Sequence, residues 1–375
     1  MLKNMAEVTP MSRSSDQITT AQAAVIIINY MLGAGILTLP RTAVTASNSP
    51  DVWISVLLSS LLILLAGFVI VKLCRRFPGQ TWFQFVPQIT GKAIAFLISL
   101  ITIGYLLTIS AFELRVMAEV TGMFLLEGTP MWAIVMTFMW VGLYLTTGGI
   151  GSIARLFEII LPITLVIFII TFSLSSGLFE INNLRPVLGS GVIPVLLGMR
   201  STTLAFAGFE IMLIIMAFMS SPQKGMKAVT WGTIVPTFVY LVALVMTIGG
   251  LSLGGVKVAT WPSLDLIRSF EIQGLIFERF ESLLLVIWIM QIFSTFTITH
   301  YAASLGWSQL FDKNIRPFLF MMLPVIFLIA VIPKNISELF MLGQIVGNVS
   351  VYLFGTLPFF LLIISKIRRK GETSN

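Results

Sequence analysis

The run NYMLGAGILTLPR, Asn29 to Arg41, sets Gly33, Gly35 and Pro40 in the middle of a stretch apolar enough to be one continuous helix. These residues open the backbone, and in hydrocarbon every freed N–H and C=O needs a new partner. A small polar ligand can be that partner. A second run, AFAGFE from Ala205 to Glu210, interrupts another apolar stretch. The segment starting after Gly35 turns the positive end of its dipole toward the break, which suits a carboxylate. The segment ending near Ala205 presents carbonyls, which suit an ammonium group. An amino acid carries both, so the candidate ligand-binding residues are Gly33, Ala34, Gly35 and Ile36 with Ala205, Phe206, Gly208 and Phe209. Close helix packing is the other use of such glycines; two interruptions at corresponding places favour binding.

Ionisable and hydroxyl side chains inside apolar stretches extend this set. Tyr105 and Thr108 are spaced i, i+3 at the expected depth of the breaks, so they share a helix face and form a candidate pocket wall. An ordinary buried tyrosine is the alternative for Tyr105. Glu113 lies two turns outward and Arg200 at a similar depth in its own stretch, a candidate gate salt bridge; pairing of Glu113 with Arg115 or a neighbouring helix is the alternative. Glu210, directly after the second break, can orient unwound backbone, relay a proton or serve as a structural carboxylate. Arg155 and Glu158 have ion-pair spacing, and FERFES (277–282) gathers Glu278, Arg279 and Glu281 into an interfacial charge cluster or docking surface.

Catalytic and metal chemistry find little support. One cysteine, Cys74, and one histidine, His300, allow neither an intrachain disulfide nor a His/Cys metal cluster. GIGSIA (149–154) fits G-x-G-x-x-A but follows an apolar helix rather than a strand, so the dinucleotide reading fails. No phosphate-binding loop occurs, and no serine or cysteine nucleophile has a nearby partner. The expectation is a non-enzyme without cofactor or metal.

The elements that position these residues must be membrane helices. With 57% hydrophobic and 10% charged residues among 375, and a mean hydropathy of +0.98, the chain has more apolar surface than a water-soluble domain can cover. Ten spans are expected, at about 19–46, 52–73, 92–126, 131–148, 152–175, 194–220, 227–253, 275–308, 315–333 and 337–366. The first eighteen residues lack the apolar core of a signal peptide. A cytoplasmic N-terminus puts 15 of the 23 Lys and Arg inside and six outside, so both termini are expected in the cytoplasm. The net charge of +7 is then met by anionic lipid and implies no nucleic acid. FPGQTWFQFVPQITGK, after span two, is expected along the cytoplasmic interface.

Spans one and six, both interrupted, are five spans apart and oppositely directed. This predicts an all-α, polytopic membrane domain over 1–375, a five-plus-five inverted repeat with repeat one at about 19–175 and repeat two at about 194–366, and helices 1 and 6 broken. GQIVG (343–347) is expected as a packing face.

The motifs GAGILTLPR after ITTAQAAVIIIN, PGQTWFQFVPQITGK after span two and FERFES at span eight resemble the spore germination B-subunit family, the GerAB type, over essentially the whole chain. That family is a branch of the amino acid, polyamine and organocation (APC) transporter superfamily. The resemblance implies a LeuT-like fold, location in the spore inner membrane, and nutrient sensing together with A and C subunits of a germinant receptor. In proton-coupled members of the superfamily a lysine at mid-span five replaces a sodium ion; here no lysine follows Glu158 in that span. The expected function is germinant sensing, with a small nutrient, an amino acid, held at the midplane. A secondary transporter of amino acids or related solutes is the alternative, and a membrane enzyme or inert scaffold a third.

Overall fold

The computed structural model describes residues 17–202, 205–269, 281–368 and 370–371. Glu278, Arg279 and the side chain of Glu281 lie outside the described residues. Within them the chain is helical, apart from one isolated bridge between Ile18 and Met219. In chain order the helices are α1 (Thr20–Leu32), α2 (Gly35–Ser47), α3 (Val52–Cys74), α4 (Trp82–Thr90), α5 (Lys92–Phe124), α6 (Met131–Thr147), α7 (Gly149–Leu174), α8 (Ile193–Ser201), α9 (Met212–Ile215), α10 (Gly225–Val258), α11 (Pro262–Arg268), α12 (Glu281–Phe311), α13 (Ile315–Ala330), α14 (Ile336–Val349) and α15 (Gly355–Ile367). Among the described residues six helical spans are long and apolar enough to cross a membrane, seven when α1 and α2 count as one bent span. Three shorter apolar helices, Met131–Thr147, Phe209–Phe218 and Ile315–Ala330, fall where the sequence reading has spans four, six and nine.

Local sequence explains the breaks. Thr19 and Gln22 close a capping box that starts α1, each side chain accepting from the other's backbone N–H at 3.1 and 2.9 Å. Gly33 ends α1, and α2 departs at 51°. Pro40, inside α2, has no N–H to offer the carbonyl four residues back, that of Ile36, and the Ser263 hydroxyl of α11 donates to it instead at 3.2 Å. In the second break α8 ends at Ser201, and Gly208 takes φ +134°, a conformation open to glycine, before helix resumes at Phe209. A π-turn, Ser350–Phe354, joins α14 to α15. Pro358 lies four residues beyond it and cannot donate to the Phe354 carbonyl, which relaxes the ladder there.

Polar side chains stitch the buried helices. Asn29 of α1 donates to the Phe157 carbonyl of α7 at 3.3 Å, Gln291 of α12 to Thr164 of α7 at 2.7 Å, and Ser110 of α5 meets Thr299 of α12 at 2.6 Å. Where hydrocarbon surrounds the bundle, such bonds hold helices that no hydrophobic force would press together. Leu61, Leu65, Phe238 and Met321 point outward and exposed, the face that lipid solvates. The segment after α3 folds as the amphipathic α4, capped by Thr81 and Gln84 and pinned to α5 by Trp82 Nε1 donating to Thr102 at 3.1 Å. Gly343 and Gly347 are buried on α14, and His300 is buried against the Leu319 carbonyl, 2.9 Å from its Nε2.

One expected ion pair does not form. Arg155 donates to Ser152 at 3.1 Å, while Glu158 accepts from Gln22 at 3.1 Å, because the first turn of α1 lies against α7. The ion pair present among the described residues is Arg115–Glu119, at 2.7 Å and i, i+4 spacing.

Candidate functional site

The two breaks face each other in the bundle, and two clusters of side chains fasten them. The first is built on Glu210, which follows the unwound Gly208. Its Oε1 accepts from the hydroxyls of Tyr105 at 2.5 Å and Tyr30 at 3.1 Å. Its Oε2 accepts from the Gly208 N–H at 2.9 Å and from Ser350 at 3.2 Å. One buried carboxylate thus ties α1, α5, the second break and the π-turn of the last span. A carboxylate with two oxygens and about four acceptor sites is the side chain that can take four donors at once. The Phe354 ring closes this cluster, 5.1 Å from that of Tyr105.

The second cluster surrounds Gly33–Gly35. Glu113 Oε1 accepts from the Ala34 N–H at 3.2 Å, and its Oε2 is buried with no hydrogen-bond partner among the described residues. Thr295 of α12 donates to the Tyr30 carbonyl at 3.0 Å. The Tyr240 hydroxyl of α10 hydrogen-bonds the Met31 carbonyl at the first break and, at 2.7 Å, the Ala205 carbonyl at the second. Tyr240 therefore bridges both interruptions, with Phe206 edge-on to its ring at 5.6 Å.

The glycines permit this approach. A Cβ on Gly33 would stand 2.5 Å from Thr295 Oγ1 and 2.8 Å from Glu113 Oε1, and one on Gly35 would stand 2.5 Å from the Tyr240 hydroxyl. Their role is neither plain helix packing nor an empty slot. They admit polar side-chain atoms to opened backbone.

Of the sequence-derived candidates, Gly33, Ala34, Gly35, Ala205, Phe206, Gly208, Tyr105, Glu113 and Glu210 come together at the breaks. Phe209 is fully buried beside them. Ile36 turns its carbonyl to Ser263. Thr108 does not join Tyr105: half-buried, it bonds back to the Gly104 carbonyl of its own helix at 2.7 Å. Three residues turn an α-helix through about 300°, so the two side chains are not superposed. Glu113 is engaged by the first break, whereas Arg200 sits exposed on α8, which packs against α2 and α3. The expected Glu113–Arg200 salt bridge is absent from the ion pairs of the described residues. Tyr30, Tyr240, Thr295 and Ser350 were not among the candidates. Tyr30 stands three residues before Gly33, the one local signal that was available.

Arg200 lines two adjoining cavities of about 240 Å³ each: an apolar one with Leu62, Ile63, Met199 and Phe206, and a polar one with Ser201, Gln344 and Asn348.

The family model described as spore germination protein matches residues 17–339. Spore germination protein YndE of Bacillus subtilis (strain 168) is 55% identical over 358 residues, spanning 96% of this chain and 99% of that protein. Spore germination protein A2 of the same organism is 35% identical, over 95% of this chain and 98% of that one. The crystal structure of MhsT in complex with L-phenylalanine superposes with a TM-score of 0.69, covering 92% of this chain and 88% of that one at 14% identity. At that identity the likeness shows the fold, a LeuT-like arrangement; in this chain the breaks lie between α1 and α2 and between α8 and Phe209.

Proposed function

The chain belongs to the spore germination protein family, and from that premise we propose that it is the nutrient-sensing membrane subunit of a germinant receptor. It binds a small nutrient, an amino acid, at the midplane between the two broken helices. The observation that carries this reading is the Tyr240 hydroxyl held between the carbonyls of Met31 and Ala205. Two opened backbones converge on one donor, and an ammonium group carries three donors for the same acceptors. The buried Glu113 Oε2, without a hydrogen-bond partner among the described residues, adds a further polar site beside them. In this reading the resting protein satisfies its breaks with its own side chains, and the nutrient exchanges with them.

The same proposal includes ten crossings, with Met131–Thr147, Phe209–Phe218 and Ile315–Ala330 completing the six long spans and the bent pair. Repeat one runs over about 19–175 and repeat two over about 194–366. Both termini face the cytoplasm of the spore inner membrane, as the Lys and Arg distribution favours. A and C subunits of the receptor are the protein partners. The LeuT-like fold favours a second reading, a secondary transporter of amino acids or related solutes. Equilibrium binding of amino acids and sugars to the purified chain tests the first step. Saturable binding of an amino acid supports the proposal, and binding of none sinks it.

A further inference from the structure

This inference rests on the proposed nutrient site and concerns how its ligand's negative end is met. The N-terminal end of α2, the anion position that the sequence suggests, already has the Glu113 carboxylate on its Ala34 N–H. That N–H is therefore taken, and a ligand carboxylate placed there would have to displace Glu113. A positive group that borders the second break is Arg200, which lines a cavity with Phe206.

Its setting is unusual for a charged residue in a membrane span. Arg200 lies seven residues, about 10 Å, along α8 from Ile193. A charge exposed within the proposed span over about 194–220 is costly unless it faces a polar cavity. It lines a cleft of about 240 Å³ with Ala46, Leu197, Ser201, Gln344 and Asn348. No acidic side chain is among these lining residues. Gln344 and Asn348 are one helical turn apart on α14, so their amides share a face toward the cleft. The adjoining apolar cavity, which Arg200 also lines, reaches Phe206 at the second break. The planar guanidinium has five N–H donors, which lets it grip a carboxylate beside the interaction it already makes within the protein.

We propose that Arg200, Ser201, Gln344 and Asn348 form a carboxylate-accepting subsite beside the second break, which captures the acidic end of the nutrient and restricts the ligands to carboxylates.

The test uses the full chain in phosphatidylcholine nanodiscs, titrated with each of the twenty amino acids and with its α-carboxamide, which lacks the acid. Arg200→Gln is expected to weaken binding of the responding amino acid about tenfold or more while changing its carboxamide less than twofold. Arg200→Lys, retaining charge without the fork, is expected between the two. Should Arg200→Gln fail to fold, Asn348→Leu reads the same selectivity with a smaller shift. Equal weakening of acid and amide, or no weakening in a folded variant, overturns the subsite. So does competition by phosphatidylglycerol added to the disc, which would assign the cleft to a lipid phosphate. If the unsubstituted protein binds no amino acid, the proposed function itself falls; if it binds them and Arg200→Gln leaves the preference for acid over amide intact, this inference alone falls.

Discussion

The Tyr105 hydroxyl donates to Glu210 Oε1 at 2.5 Å, and Tyr30 donates to the same oxygen at 3.1 Å. Two tyrosines from different helices thus share one acceptor on a carboxylate that also holds the unwound Gly208. Glu210→Ala leaves four donors without their partner in a buried setting, and should lower unfolding stability in detergent by about 3 kcal/mol or more. Tyr105→Phe should cost about 2 kcal/mol. Tyr105→Phe and Tyr30→Phe together should depart from the sum of the single losses by about 0.5 kcal/mol or more. Strict additivity in that cycle would show that the two hydroxyls do not act through one oxygen.

Gly35 and Tyr240 form a second pair whose coupling can be measured. Gly35→Ala puts a methyl 2.5 Å from the present position of the Tyr240 hydroxyl, so the ring must shift and release the two carbonyls it bridges. Reduced stability in detergent is expected. In a Tyr240→Phe background the same substitution should cost less, with a coupling of about 1 kcal/mol or more. An identical cost in both backgrounds would mean that Gly35 serves helix packing elsewhere.

The boundary of the site gives a control. Thr108 bonds its own helix at Gly104, so Thr108→Val should leave nutrient affinity within about twofold, since neither break loses a partner. A tenfold loss in the titration would return Thr108 to the pocket wall.

How much was legible in the sequence differs from residue to residue, for physical reasons. Gly33, Gly35, Pro40 and Gly208 declare themselves, because glycine and proline disrupt a helix through their own backbone chemistry. Glu113 and Glu210 stand out because a carboxylate in an apolar span is expensive. The partners of those groups are another matter. Tyr240 meets Met31 across 209 residues of sequence and Ser350 meets Glu210 across 140, so neither contact follows from spacing along one helix. Arg155 and Glu158 show the reverse error: their spacing was right for a pair, yet Gln22 and Ser152 were the better-placed partners. Hydroxyls such as Thr108 are ambiguous in the same way, since bonding back to the fourth carbonyl competes with any tertiary use.

Sensing and transport share a site and differ in whether the ligand crosses. No lysine follows Glu158 in α7 to stand in for a coupling cation. The chain reconstituted in liposomes is therefore expected to bind amino acid without accumulating it against a gradient, under an imposed proton or sodium gradient alike. Robust uphill uptake would promote the transporter reading over the sensor.

If the opened backbone of the two broken helices holds the nutrient, an experimental structure of the chain with a bound amino acid will show ligand density within hydrogen-bond distance of the Met31 or Ala205 carbonyl, with the Tyr240 hydroxyl displaced from at least one of them. Ligand seated away from both breaks, with the Tyr240 bridge intact, would contradict it.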